Sequence, residues 1–353
     1  MTITIVLPFI NLTGGIRVLL DYANWLHDAG HRVTVVYPQW PYQFQYTRQQ
    51  QWVEFKKHSR HSASVSWLPL RCELLRVPLV RSIFMPKAEL VIAAGWPVAH
   101  DVSRLPASRG RKVLIVFHHE SGTGPENKIV AIYRMPYYRI AFSNFVRDTI
   151  TAMFHCHIHD VVPNGVDTKL FYPDGTPNPR SVLFLYHPDP RKGAADGVEA
   201  LVRIGRELPD VNVHVLGPVR PQAPLPWGDI EFHPDDATLR RRYSQATCLL
   251  YPSRYEGFGL PPLEAMACGC PPVTTSVGAV PEFARDGWNA SVVEPGDVDG
   301  MVAGLRRVLC DPPYRDQLAR HALATGVNHS LERVAPLFAA ALERAAHAPD
   351  ETV

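Results

Sequence analysis

Short apolar runs alternate with amphipathic stretches along this chain, and the alternation breaks once and then restarts. "TITIVLPF" gives way to "NLTGG", then to "IRVLLDYANWLHDAG", whose apolar residues recur at helical spacing, then to "HRVTVVYP". Strand, loop, helix, strand is the opening of a parallel sheet, because parallel neighbours need a crossover connection. "ELVIAAG" (89–95) and "KVLIVFHH" (112–119) read as further buried strands. "RIAFSNFVRDTI" (139–150) reads as a strand and a helix start capped by Ser143 or Asn144, and "DVVPNGVD" (160–167) closes the first series. The stretch "YPDGTPNP" (172–179) is dense in proline, glycine and polar residues and reads as a linker. Beyond it the alternation resumes through "SVLFLYH", "GAADGVEALVRIGREL", "VNVHVLG", "ATLRRRYSQA", "TCLLYPS", "PPLEAMACG", "PPVTTS" and "DVDGMVAGLRRVLCD", and "LERVAPLFAAALERAAHA" adds a last amphipathic helix. The expectation is an α/β chain with two doubly wound halves, 1–170 and 171–328, and a terminal helix in 329–353 that packs back on the first half. A length of 353 residues suits two domains.

A net charge of +2 carries no global field of the kind that nucleic-acid binding uses, so no nucleic-acid partner is expected. The N-terminus "MTITIVLPFINLTGG" lacks a basic leader, and no apolar run reaches membrane-spanning length. A cytoplasmic protein with reduced, mostly buried cysteines is expected. Among the six cysteines only Cys268 and Cys270 are close, and a one-residue gap suits neither a redox pair nor a zinc site.

Three places carry chemistry. Gly14 and Gly15 lie where the first strand hands over to a helix, and glycine there lets backbone approach a phosphate at free N–H groups. A plain turn is the alternative, and the G-x-G-x-x-G dinucleotide fingerprint is missing. In "YHPDPRKG" (186–193), Arg191 and Lys192 fall at the carboxyl edge of the second sheet, where cations suit a diphosphate or are simply solvated. In "RYEGFGLPPLEAMACG", Glu256 lies in a loop and Glu264 on the first turn of the following helix. The N–H groups of Phe258, Gly259 and Leu260 lie between the two acids, which describes a nucleotide-sugar site: phosphate on the helix start, hydroxyls on the carboxylates. A capping role is the alternative for Glu264. "HHE" offers His119 and Glu120 towards an acceptor, with Glu120 either a general base or solvated. "HCHIH" (155–159) places three histidines on one face of an edge strand, a spacing that could hold a metal but reads better as polar surface. Residues 40–61 mix aromatic and basic residues, and the apolar, arginine-bearing stretch after them could rest on a membrane surface.

The stretch "PSRYEGFGLPPLEAMACGCPPVTTSVGAVPEF" resembles the signature of retaining GT-B glycosyltransferases of family 4, two glutamates eight residues apart before a glycine loop. "VVPNGVDTKLFYP" (161–173) is similar to the segment that ends the N-terminal domain in that family. The resemblance implies a GT-B fold, two Rossmann-like domains facing across a cleft, with acceptor and donor halves. It implies that Glu264 binds ribose, that Glu256 binds the transferred sugar, and that the backbone from Gly257 through Phe258 and Gly259 to Leu260, with Gly14 and Gly15, holds the diphosphate. Lys192 would neutralise phosphate charge in place of a metal, Arg191 would assist, and His118 matches the active-site histidine. Catalytic roles are thus implied for His118, Glu256 and Lys192, with no cofactor and no metal. The partners implied are a UDP-, GDP- or dTDP-linked sugar and a hydroxyl acceptor, with contact at the inner membrane face a further option. The family's "GR" before "RKG" is replaced here by Tyr186 and His187, so one diphosphate-binding arginine is missing. A nucleotide-sugar 2-epimerase of the same fold and a catalytically weak sugar-nucleotide-binding subunit are the alternatives.

Overall fold

A computed structural model describes all residues except 12, 41, 43–48, 51, 54, 57–64, 66, 119, 121–123, 220–229 and 350–353. The chain divides into two compact units, Met1–Asn164 with Glu332–Val353, and Gly165–Leu331.

In the first unit β1 (Thr2–Val6), β2 (Arg32–Pro38), β3 (Glu73–Val77), β4 (Leu90–Ala94), β5 (Arg111–Val116), β6 (Tyr138–Ala141) and β7 (Asp160–Val161) pair in parallel. Their order is β3-β2-β1-β4-β5-β6-β7. The helices are α1 (Gly14–Asp28), α2 (Trp96–Ser103), α3 (Glu126–Tyr133) and α4 (Asn144–Phe154). Every residue of β4 is buried, as a central strand covered by helices on both faces requires. Ser143 caps α4, its hydroxyl accepting from the Val146 N–H at 3.0 Å. That helix ends at His155, which takes a left-handed conformation, so residues 155–159 are not the edge strand that their spacing suggests. The rings of His157 and His159 instead meet edge to face. Helix α11 (Leu331–His347) packs its Phe338 ring on Tyr22, 4.6 Å between centroids, and its Arg344 forks onto Asp160.

The second unit repeats the scheme with β8 (Ser181–Leu185), β9 (Asn212–Gly217), β10 (Ile230–Phe232), β11 (Cys248–Tyr251), β12 (Pro272–Thr275) and β13 (Ser291–Val293), in the order β10-β9-β8-β11-β12-β13. Its helices are α5 (Ala194–Glu207), α6 (Asp236–Gln245), α7 (Leu260–Ala267), α8 (Val280–Phe283), α9 (Val298–Cys310) and α10 (Pro312–Asn328). Residues 172–179 lie along this unit: the Asp174 N–H donates to Ser244 Oγ and the Asn178 N–H to the Gln245 carbonyl. A bridge between Val166 and Ser330 ties the two ends of the unit together.

Cys72, Cys156, Cys248, Cys268 and Cys270 are free and buried, whereas Cys310 is exposed. Among the described residues no helix is long and apolar enough to cross a membrane.

Candidate functional site

In a doubly wound sheet the chain runs outward in opposite directions from two central neighbours, and the loops leaving their carboxyl ends open a crevice between them. In the second unit those neighbours are β8 and β11. The loop after β8 carries His187, Asp189, Arg191 and Lys192; the loop after β11 carries Ser253 to Gly259. The two loops are laced together, the N–H groups of Arg254 and Tyr255 donating to the Arg191 carbonyl at 2.7 and 3.1 Å. Gly193, at φ 62°, is required here, because a Cβ would run into the Pro252 carbonyl oxygen.

This lacing brings together residues that are 64 positions apart. Lys192 Nζ lies 2.7 Å from Glu256 Oε1. The same oxygen accepts from Tyr251 Oη at 2.5 Å and from Ser253 Oγ at 2.7 Å. Three donors, one of them cationic, fix the carboxylate in one orientation, and hydrogen bonds to a charged group are the stronger kind. Burial, then the Glu256 charge, raise the Tyr251 phenol well above its ordinary pKa, so it stays a donor. Among the described residues Oε2 of Glu256 takes no hydrogen bond, so one edge of an oriented carboxylate is left to accept from a ligand hydroxyl. The loop after β12 presses from below: Gly278, at φ 57°, abuts the Glu256 carbonyl oxygen, and the Ala279 N–H donates to Gly257 O at 3.2 Å.

Gly259 breaks the chain with φ 94° and α7 begins at Leu260. Pro261 and Pro262 lack N–H groups, so the donors left at this end are those of Phe258, Gly259 and Leu260, none of which is used in hydrogen bonding among the described residues. Glu264 is the fifth residue of α7 and not on its first turn, which removes the capping alternative. It accepts instead from Tyr243 Oη at 3.3 Å. Arg191 does not reach towards this end; its guanidinium forks onto Asp189 at 3.0 and 2.7 Å, and that pairing pulls the Asp189 carboxyl down to about 2.

In the first unit Gly14 and Gly15 open α1, and a Cβ on Gly15 would sit 3.2 Å from the Phe117 ring. The helix start and the end of β5 are therefore in contact, with half-buried His118 next in the chain. His119 lies outside the described residues. Glu120 is 7% exposed, so the solvated alternative does not hold. Its carboxyl accepts from the first N–H of α2, that of Trp96, at 3.1 Å, and from Tyr133 Oη at 3.4 Å. Burial pushes it up to about 8 despite both donors. Gly95, at φ 80°, leaves the room it needs, since a Cβ there would lie 2.6 Å from Oε1.

The sequence singles out Glu256, Glu264, Lys192 and the glycines but not Tyr251, Ser253 and Tyr243, which bond the two acids and read in the sequence as strand and helix residues. A tyrosine closing a buried strand five residues before an acid is the only signal that could have pointed to the first of them.

Two family models match the chain, Glycosyltransferase Family 4 over residues 12–170 and Glycosyl transferases group 1 over residues 173–324. A phosphatidyl-myo-inositol mannosyltransferase of Mycolicibacterium smegmatis is 27% identical over 89% of this chain and 86% of its own length. An MMP α-(1→4)-mannosyltransferase of Mycolicibacterium hassiacum is 37% identical over 43% of this chain. That match spans 40% of the relative's own length, and the match to a glycogen synthase of Mycobacterium tuberculosis, 30% identical, spans 48% of the synthase's length, so the chain covers about half or less of these relatives. Among solved structures, TarM of S. aureus, in complex with UDP, superposes with a TM-score of 0.75 at 10% identity, covering 98% of this chain and 100% of that one. HepE of Anabaena with UDP-glucose gives 0.72 at 16%, covering 97% and 99%.

Proposed function

The chain belongs to glycosyltransferase family 4, and we propose that it moves a hexose-type sugar from a nucleotide-diphosphate donor to an acceptor hydroxyl, keeping the anomeric configuration. The observation that carries this reading is the oriented Glu256 carboxylate, one oxygen saturated by Lys192, Tyr251 and Ser253 and the other open, beside the unused N–H groups that start α7. Glu256 then accepts from hydroxyls of the transferred sugar, and Glu264 accepts from those of the ribose. The N–H groups of Phe258 to Leu260 and the Lys192 ammonium take the diphosphate. Structural neighbours that hold UDP or UDP-glucose support a nucleotide donor of this kind.

In the reaction the bond from the anomeric carbon to the diphosphate oxygen breaks, and its electron pair leaves with the phosphate. The acceptor oxygen bonds to the same face of that carbon, and its proton passes to a phosphate oxygen. Glu256 is poorly disposed to act as a nucleophile, because three donors hold its charge. Rate enhancement comes from positioning and from stabilising the departing charge with donors already in place. Lys192 supplies at this point the charge that a divalent ion would otherwise supply, so transfer is expected to persist in EDTA. His118, half-buried after β5, keeps a catalytic role in this scheme, and acceptor binding falls to the first unit; Glu120, buried against the start of α2, is closed to an acceptor.

The test is a thermal-shift screen with UDP-, GDP- and dTDP-linked mannose and glucose, followed by transfer assays with any donor that binds. At least one nucleotide sugar should raise the midpoint, and Glu264→Ala should abolish the shift. No response to any of them, with Glu264→Ala indistinguishable from wild type, would refute the donor site. Isomerisation of the donor without transfer would mark a 2-epimerase instead.

A further inference from the structure

Between Ser253 and Glu256 stands Arg254, whose side chain turns away from the Glu256 carboxylate and leaves its own loop. Nε and Nη2 fork onto Oδ2 and Oδ1 of Asp196, each at 2.7 Å. Asp196 is buried in the first turn of α5, where the free N–H groups of the helix favour a carboxylate, so it is a fixed point. Its Oδ2 lies 3.5 Å from where a Cβ on Gly193 would stand, which sets the fork against the backbone that follows Lys192. On the far side the loop after β13 passes close, a Cβ on Gly296 falling 3.8 Å from Arg254 Nη2. The main chain of Arg254 meanwhile donates its N–H to the Arg191 carbonyl at 2.7 Å. One residue therefore grips the Lys192 loop on both sides of the lysine, by backbone at Arg191 and by side chain at Asp196. The guanidinium is more than half exposed, and an ion pair with an exposed partner adds little to the stability of a fold. What the fork does supply is two-point geometry, which a single point charge cannot.

We propose that Arg254 is a positioning residue for the sugar-transfer step: locked on Asp196, it sets where Glu256 meets Lys192, and it touches no substrate itself. This rests on the donor-site reading above. The residues on either side of Arg254 show why the step would feel it. Ser253 and Glu256 bond each other, and Lys192 bonds the same Glu256 oxygen, so a loop that drifts off Asp196 carries the carboxylate off the lysine. A displacement of about 1 Å at a reacting group can cost about a hundredfold in rate. The N–H groups of Phe258 to Leu260 are held separately, by α7 and by the Ala279 N–H on Gly257 O, so they stay in place when the fork is lost.

The test compares wild type with Arg254→Gln, Arg254→Lys, Asp196→Asn and the double variant Arg254→Gln/Asp196→Asn. Three quantities are measured: kcat with UDP- and GDP-linked mannose and glucose (for transfer, or for release of the sugar to water), calorimetric affinity for UDP and GDP, and the urea midpoint. Each single variant should lower kcat about ten- to a hundredfold while nucleotide affinity stays within about threefold and the urea midpoint stays near that of wild type. The double variant should be no slower than the slower single one, because both changes break the same pair. Arg254→Lys keeps the charge without the fork and should stay within about threefold of Arg254→Gln. Unchanged kcat in Arg254→Gln, additive losses in the double variant, or full recovery in Arg254→Lys overturns the proposal. So does a fall of kcat and nucleotide affinity by the same factor, which would mark general collapse of the loop. Wild type that binds neither nucleotide, or turns over no donor, removes the donor-site reading and this role with it; nucleotide binding and turnover that persist unchanged in Arg254→Gln remove this role alone.

Discussion

Replacing Glu120 by glutamine should make the first unit respond differently to pH. The Glu120 carboxyl is raised from 4.5 to about 8, chiefly by burial. The folded chain therefore keeps a proton that the unfolded chain releases as pH rises through 4.5. Stability linked to this group is complete below pH 4.5, declines as pH rises towards 8, and is flat above that. A pKa raised from 4.5 to about 8 corresponds to about 5 kcal/mol between the two plateaus. Glutamine keeps an acceptor oxygen for the Trp96 N–H, 3.1 Å away in the native protein, and cannot ionise. Urea unfolding at pH 5, 6.5 and 8.5, followed by tryptophan fluorescence of the buried Trp96, reads the difference. Wild type and Glu120→Gln should nearly coincide at pH 5, and the variant should be the more stable by several kcal/mol at pH 8.5. Other titrating groups shift both proteins alike, so only the difference matters. Parallel curves, or a wild type that gains on the variant as pH rises, would refute a buried, proton-holding Glu120.

Tyr251→Phe removes one donor from Glu256 and should lower kcat about ten- to a hundredfold while leaving nucleotide affinity within threefold, since among the described residues the phenol bonds only Glu256, the acid proposed above to hold the sugar. Equal losses in kcat and nucleotide affinity would show that Tyr251 supports the whole loop. Gly278→Ala places a methyl against the Glu256 carbonyl oxygen at a left-handed position, so melting temperature and nucleotide affinity should fall together; an unchanged protein by both measures would contradict the packing described. Phe338→Ala empties a fully buried ring position against Tyr22 and should cost about 3–5 kcal/mol in urea unfolding. A loss below about 1 kcal/mol would mean that α11 is not held by that ring.

The central strands were legible because each is a buried apolar run between turn residues. The strands that the sequence hid lie at sheet edges: β3, β10 and β13 are short and mostly half-buried or exposed, so no apolar run marks them. Helix α10 was hidden for a different reason. Its contact face includes Ala322 and Gly326, with Gly326 against the backbone of Ala267. Close approach through small residues leaves little hydrophobic periodicity to read. At the candidate site, residue types and spacing within one loop were legible, but the pairing of Lys192 with Glu256 depends on two loops meeting at the β8–β11 switch point. Glu120 shows the limit most plainly. Beside two histidines it reads as a surface or catalytic acid, and only the fold reveals that it caps a helix inside the first unit.

The first unit is discontinuous in the chain: its closing helix follows residue 331, after the whole of the second unit. A ribosome adding about 5–20 residues per second therefore finishes the seven-stranded sheet roughly 10–30 s before it delivers Phe338. During that interval Tyr22 and Phe142, the rings Phe338 covers, have no lid, and the second unit is completed first. The half of the protein that is made first is thus the half that matures last. A nascent chain stalled before α11 would present a sticky aromatic surface to chaperones.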